Sequence, residues 1–539
     1  MTTATTLTVD AHVSGDPIDH YWNNCVGAGR AAEGLRADWQ DQLRRTVRDC
    51  GFRYLRFHGL LCDEMGVYST VNGQEQYHFT YIDMVYDAML GAGVKPFVEF
   101  AFTPEALASG PGTQFWWKAN VTPPKDADAW ARLCAACVRH WIERYGLDEV
   151  RGWYFEIWNE PDLHAFWNGT KTQYFALYRA AATAIKAVDA NLRVGGPATS
   201  NFVPDARFDG EVEDFSKHLT NKVEDLDSLD WHGVWIKDFL DYCQANDLPV
   251  DFVSTHPYPT DFALDGQDVP EASEADRGGK PMRGRSRQAD SVHDDLAWLR
   301  STLAASGYPD AEIHLTEWSS SPTSRDYSHD YLPAATYVAK TILDNIGLAD
   351  SLSYWVFTDI FEEVGPGPEA FHGGFGLTTM HGIPKATYRT YEFLNRLGDT
   401  RLAQTDNGIV TRNGAGQVQA MFYNYPDAMP QAVPIAEYPD HERAESIQTM
   451  GESAAVTLTL TGLAPYTRAT VRTMDRDHGV AANLWARLGY PRNLTRAQVA
   501  MLKARSHDFA VATGQADANG MLTMTIDLPA WAVALLETE

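Results

Sequence analysis

Between about residues 18 and 395 the chain alternates short strand-like runs with amphipathic helical stretches, eight times over. The strand-like runs centre on Tyr21–Val26, Arg53–His58, Lys95–Phe100, Gly152–Trp158, Arg193–Gly196, Phe252–His256, Glu312–Thr316 and Leu352–Phe357. Between the first two, Leu35, Trp39, Leu43 and Val47 recur every four residues on one helix face, and Gly51 supplies a stop. Ile82, Val85, Tyr86 and Met89 mark a second helix, and later ones fit Ala127–Tyr145, Tyr174–Val188, Val292–Ala305 and Pro333–Leu348. Parallel strands require such crossovers, because a hairpin only reverses the chain. Eight strand–helix units predict a (β/α)8 TIM barrel.

After residue 396 the period changes to two, over Val418–Tyr423, Ala455–Leu460, Arg468–Met474 and Leu522–Leu528, with a helical insertion near Arg496–Ala504. This predicts a smaller, mainly antiparallel, β-sandwich-like accessory domain. Thr5–Val9 alternates likewise and is assigned to it. The expected division is a barrel over residues 16–395 and an accessory β-domain from 1–15 and 396–539. With 72 acidic residues against 44 Lys plus Arg, the net charge is −28. That charge repels phosphate, so neither nucleic acid nor an anionic membrane is expected as partner. No apolar run reaches the roughly 18–20 residues that span a bilayer. Met1–Asp10 has neither the basic start nor the apolar core of a signal peptide, so a cytoplasmic location is expected. Six scattered cysteines make no disulfide framework.

In a barrel of this kind reactive groups collect at the C-terminal ends of the strands. Those ends carry His58, Phe100, Asn159-Glu160-Pro161, His256-Pro257-Tyr258, Thr316-Glu317-Trp318 and Trp355. Two carboxylates, from the fourth and seventh strands, face each other across the barrel mouth. Glycosidic hydrolysis needs such a pair, one protonating the leaving oxygen and one acting at the anomeric carbon. Trp355 offers an apolar face on which a pyranose can stack. Arg56 and Glu156 fall within strands and are read as a supporting charge pair. Cys134 and Cys137 have metal-like spacing but no second pair, and are assigned to a helix core. Gly27-Ala28-Gly29 lacks the third glycine of a dinucleotide fingerprint. No cofactor and no metal are expected. The run Arg277, Lys280, Arg283, Arg285 and Arg287 is read as a solvated basic loop.

The string from Trp153 to Pro161, WYFEIWNEP, resembles the signature of glycoside hydrolase family 39, the β-xylosidases and α-L-iduronidases. Arg56-Phe57-His58-Gly59, Phe361-Glu362-Glu363, the stretch from Phe371 to Leu377 and Asp475-Arg476-Asp477-His478 extend the resemblance over nearly the whole chain. It implies Glu160 as general acid/base and Glu317 as nucleophile of a retaining double displacement. It further implies that Asn159 bonds the sugar 2-hydroxyl and that His256 and Tyr258 orient nucleophile and sugar. His58 is expected to contact sugar hydroxyls, and Phe115 to wall the pocket. Glu362, Glu363 and His372 resemble the family's hydroxyl-binding group at the non-reducing end. The expected substrates are small molecules, xylobiose and short xylo-oligosaccharides. An iduronide would call for Arg or Lys against its carboxylate, and the motif ends carry none. Side activity on α-L-arabinosides stays open. A noncatalytic carbohydrate-binding barrel, the rival from another class, would lack one of the two carboxylates.

Overall fold

The computed structural model describes residues 4–200, 202–204, 209–212, 229–261, 285–429, 431–432 and 441–539. After β1 (Ala4–Asp10) and β2 (Asp16–Pro17) come the barrel strands β3 (Cys25–Arg30), β4 (Tyr54–His58), β5 (Lys95–Phe100), β6 (Tyr154–Ile157), β7 (Arg193–Thr199), β8 (Phe252–Thr255), β9 (Glu312–Trp318) and β10 (Ser351–Tyr354). Each pairs in parallel with the next, and β10 pairs with β3, so the sheet closes on itself. The longer outer helices are α1 (Ala37–Cys50), α2 (Thr80–Ala92), α3 (Ala127–Tyr145), α4 (Lys171–Val188), α5 (Ile236–Ala245), α6 (Ser291–Ala304), α7 (Leu332–Asp344) and α8 (Ala386–Leu394). In α1, Trp39 and Leu43 are buried, and the helix ends at Gly51 with φ +76°, which glycine adopts without strain. Cys134 and Cys137 are buried on α3, as core residues.

The first barrel strand lies later than the sequence pattern suggests. Tyr21–Asn23 form a 3₁₀ turn, with Trp22 fully buried and the Tyr21 hydroxyl donating to the Ile342 carbonyl at 2.6 Å. The bulky aromatics anchor the turn, and the strand itself uses the small residues Gly27-Ala28-Gly29. A Cβ on Gly27 would stand 2.4 Å from Trp355 Cε3, so the glycine admits close approach of that indole.

Inside the barrel the period of two sorts the residues into layers. Phe97, Tyr154, Phe252 and His314 form an aromatic floor, with Phe97 stacked on Tyr154 at 4.8 Å. One layer up, Arg56, Glu99, Glu156 and Thr316 point inward, and β6 pairs with β5 so that Glu156 sits beside Glu99. Above them stand His58 and Glu317 at the mouth.

Beyond the barrel come the strands β11 (Thr400–Thr405), β12 (Gly408–Arg412), β13 (Val418–Tyr423), β14 (Ala454–Thr461), β15 (Arg468–Met474), β16 (Ala510–Gln515), β17 (Leu522–Leu528) and β18 (Val533–Thr538). One sheet runs β2-β11-β12-β13-β18-β15-β16 and the other β1-β14-β17. Val410, Ala420 and Phe422 of the first sheet share a core with Val9, Leu458 and Ile526 of the second, which makes a sandwich. β1 joins it parallel to β14, whereas β14 and β17 are antiparallel. Three short helices accompany these strands: α9 (His441–Ile447), α10 (Ala481–Arg487) and α11 (Arg496–Arg505).

The basic run separates. Arg287 is buried, pairs twice with Asp295 at 2.8 and 3.0 Å, and lies over the Trp231 ring at 3.7 Å. It is an interior ion pair rather than part of a solvated patch, with a carboxylate and an indole face offsetting its desolvation. Arg277, Lys280, Arg283 and the Arg285 side chain lie outside the described residues.

Candidate active site

Arg56, wholly buried on β4, organises the barrel mouth. Its Nε donates to Glu156 Oε2 at 2.5 Å, its Nη1 to Glu317 Oε1 at 2.9 Å and its Nη2 to Asn159 Oδ1 at 2.8 Å. Nη2 also lies 2.9 Å from Glu99 Oε2. A planar guanidinium with five donors can hold several partners at fixed angles, which a lysine could not do. Glu99 in turn meets His58 Nδ1 at 2.8 Å. Burial pushes the Glu99 carboxyl well up and pulls His58 down to about 3, so His58 is a neutral ring at working pH.

Glu317, near the end of β9, has both oxygens engaged. Arg56 holds Oε1, and the Tyr258 hydroxyl donates to Oε2 at 3.2 Å. Burial raises its carboxyl above the usual range, and the Arg56 guanidinium offsets part of that rise. Glu160 follows β6 on a backbone held in unusual conformations, φ +74° at Trp158 and +46° at Glu160. Such residues persist only where their surroundings hold them, and cluster at functional sites. Here the Glu160 amide donates to the Ala198 carbonyl at 2.8 Å, and the Trp158 indole nitrogen donates to the Phe166 carbonyl at 3.0 Å. Burial first, and then the charges of Glu317 and Asp162, push the Glu160 carboxyl well above its usual range. Its partner is His256, whose Nδ1 is 2.9 Å from Oε1 and which burial keeps neutral.

One donor atom each from Glu160, His256 and Glu317 lies within 4.8 Å of the others. Three such atoms are able to share a cation, but hydrogen bonds already engage them: His256 Nδ1 faces Glu160, and Glu317 is held by Arg56 and Tyr258. Their chemistry is that of a proton donor facing a fixed carboxylate. The spacing matters more. Carboxyl groups about 5–5.5 Å apart belong to retaining glycosidases, and about 6.5–9.5 Å to inverting ones.

The remaining sequence-predicted residues divide. Asn159 Nδ2 is buried with no partner among the described residues, a donor left open at the mouth. Trp355 and Phe115 flank the His58 ring, with centroids at 4.7 and 5.8 Å, and Phe115 stacks on Trp117 at 5.1 Å. Trp117 is thereby part of the wall, and its neighbour Trp116 is 61% exposed. Glu363 reaches to 3.9 Å from His58 Nε2.

Three of the expected residues already have protein partners. The Glu362 oxygens pair with Arg30 at 2.9 Å and with Arg36 at 3.1 Å. His372 sets its Nδ1 on the Glu369 carbonyl at 2.9 Å and packs within its own loop. His256 orients Glu160 rather than the nucleophile, from which its Nδ1 is 4.0 Å distant. The glycine-rich stretch around His372 is pinned from below. Lys385 pairs with Asp330 at 2.7 Å and Asp359 at 2.8 Å, and these accept the amides of Gly373 and Gly376, each at 2.7 Å.

Glu99 went unrecognised in the sequence, although its alternation with Phe97 on β5 marks it as inward-facing. Arg30 and Arg36 carried no local signal, because their partner Glu362 is more than three hundred residues away.

With this geometry in place, a match to the family model for glycosyl hydrolases family 39 spans residues 5–523. A β-xylosidase of Geobacillus stearothermophilus is 34% identical over 527 residues, covering 96% of this chain and 92% of that one. A β-xylosidase of Caldicellulosiruptor saccharolyticus is 42% identical over 388 residues, 71% of this chain and 70% of the other. The chain belongs to glycosyl hydrolase family 39. Among solved structures, the family 39 enzyme of Xanthomonas axonopodis pv. citri superposes with a TM-score of 0.84 at 31% identity, covering 100% of this chain and 98% of that one. As a family 39 member this protein is a glycoside hydrolase, and its (β/α)8 barrel with a β-rich accessory unit is the fold of its relatives.

Proposed function

We propose that this family 39 enzyme is a retaining β-D-xylosidase that releases xylose from the non-reducing ends of xylobiose and short xylo-oligosaccharides. The observation that carries it is the Glu160–Glu317 pair, with oxygens within 4.8 Å, Glu317 held by the Arg56 guanidinium and the Tyr258 hydroxyl and Glu160 facing the His256 ring. Glu317, fixed by Arg56 and Tyr258, attacks the anomeric carbon as the glycosidic C–O bond breaks. Glu160 gives its proton to the leaving oxygen. Water then enters, Glu160 takes one of its protons, and the oxygen displaces Glu317 from the sugar. The open donor of Asn159 suits the sugar 2-hydroxyl, and Trp355, Phe115 and His58 suit a pyranose ring and its hydroxyls.

Charge supports a neutral sugar over a uronide. Arg56 is shared among Glu99, Glu156 and Glu317. Arg30 is taken by Glu33, Glu64 and Glu362, and Arg36 by Asp38 and Glu362. Glu363 adds negative charge beside the sugar-facing ring of His58, where it would repel a substrate carboxylate. The test is release of nitrophenol from aryl β-D-xyloside beside aryl α-L-iduronide, with Glu317→Ala as control. Turnover of the xyloside alone, lost in Glu317→Ala, with β-xylose as first product by NMR, is the expected result. Turnover of the iduronide, or α-xylose as first product, would sink the proposal.

A further inference from the structure

The hydrogens around His256 can be counted from its neighbours. Glu156 receives Arg56 on Oε2 and the Thr316 hydroxyl proton on Oε1, the latter at 2.8 Å. A hydroxyl has a single proton. With that proton given to Glu156, Thr316 Oγ1 faces His256 Nε2 at 3.0 Å as an acceptor. Nε2 therefore carries the ring hydrogen. The reverse tautomer would set a ring lone pair against an oxygen with no proton left to give. A neutral imidazole has only one N–H, so Nδ1 is bare. It lies 2.9 Å from Glu160 Oε1, and this contact is a hydrogen bond only when Glu160 holds the proton.

We propose that Glu156 and Thr316 are positioning residues which lock His256 as its Nε2–H tautomer and so hold Glu160 as a carboxylic acid before substrate binds. The proposal rests on the reading of Glu160 as acid/base. A partner that accepts from the neutral acid, and has nothing to donate to the carboxylate, favours protonation. The same lock serves the second step. A Glu160 carboxylate facing a bare lone pair is a stronger base towards water than one quenched by an imidazole N–H. The other charged and titratable groups facing Glu160 are Glu317 of β9, Asp162 on its own loop, Arg56 of β4, Glu363 and Tyr258. Those facing His256 are Arg56, His58 and Glu317. All of them remain when the lock alone is broken. Arg56 begins the relay through Glu156 and also holds the nucleophile, so one guanidinium is hydrogen-bonded into the settings of both carboxyl groups.

Thr316→Val keeps the shape and removes the acceptor. The ring hydrogen then moves to Nδ1 and donates to Glu160. The basic limb of kcat/KM for methoxyphenyl β-xyloside, whose leaving group needs an acid, should fall by about one pH unit. Thr316→Ser restores the hydroxyl and the limb. Dinitrophenyl β-xyloside, whose leaving group needs no proton, should show no such shift. Nitrogen NMR of histidine-labelled protein should place the hydrogen on Nε2 in the wild type and on Nδ1 in Thr316→Val. A wild-type spectrum with the hydrogen on Nδ1 overturns the proposal. So does an unmoved limb in folded Thr316→Val, including one whose turnover falls equally at every pH. If Thr316→Val does not fold, the wild-type spectrum alone decides. That spectrum needs no substrate, so failure to cleave xylosides would overturn the substrate assignment while leaving the tautomer measured.

Discussion

Arg56 meets three carboxylates in the barrel interior, and removing a partner from such a cluster costs more than the cluster contributes. Arg56→Met should lower stability by about 3–5 kcal/mol, read as the shift of a urea unfolding curve, and should abolish turnover by releasing Glu317. Glu160→Ala should cut kcat/KM about 10²–10⁴-fold for a poor leaving group, with far less loss for dinitrophenyl xyloside; equal losses for both would remove Glu160 from the acid role. Glu317 also sets the pH behaviour. Its negative charge is one of the forces raising the Glu160 carboxyl, and ester formation removes that charge. The Glu160 titration should therefore move to lower pH in a trapped fluoroxylosyl-enzyme than in the free enzyme, as carbon NMR of labelled glutamate would record. The places of Glu160 and Glu317 at strand ends, beside Asn159 and Trp318, were legible in the sequence. The Arg56–Glu317 bond was not, because its partners are 261 residues apart and meet only through barrel closure.

At the level of elements, the strand carrying Gly27 decides where Trp355 lies. A Cβ there falls on the indole, and overpacking of this kind costs about 1–3 kcal/mol. Gly27→Ala should lower the melting temperature and raise KM for xylobiose as Trp355 is displaced from the His58 side of the pocket. Unchanged KM would detach Trp355 from substrate binding. The same strand shows where periodicity misleads. Tyr21 and Trp22 look like strand residues because they are aromatic, yet they bury themselves in a turn, and the least strand-like residues, Gly27 and Gly29, form the strand. Helices were clearer: the four-residue spacing in α1 and its glycine stop are local signals, independent of distant partners. The loop of Glu362 and Glu363 was ambiguous for the opposite reason. Adjacent identical side chains point apart, one to Arg30 and Arg36 and one towards His58, and no local rule distinguishes them.

Over the whole molecule the accessory unit meets the barrel at α7, where the Tyr423 hydroxyl donates to Asp344 at 3.1 Å, and also at the loop that carries His372 and at α8. Trp485 of α10 packs on Phe371 with centroids 5.3 Å apart, His441 of α9 meets Glu369 at 3.2 Å, and the Arg389 side chain of α8 donates to the Ser506 carbonyl at 2.8 Å. Trp485→Ala should cost about 3–5 kcal/mol, and calorimetry should show the wild-type barrel and sandwich melting in a single transition. Two transitions would mean that this junction does not couple them. The barrel class, the sandwich and the places of Glu160 and Glu317 at strand ends could be read from the chain because period, turn residues and strand-end chemistry are local and repeat. The roles of Glu362, His256, Arg287 and Thr316 could not. Each depends on which charge or hydroxyl a closed barrel or a folded loop brings within about 3 Å, where a hydrogen bond forms, and that proximity exists only once distant segments have packed.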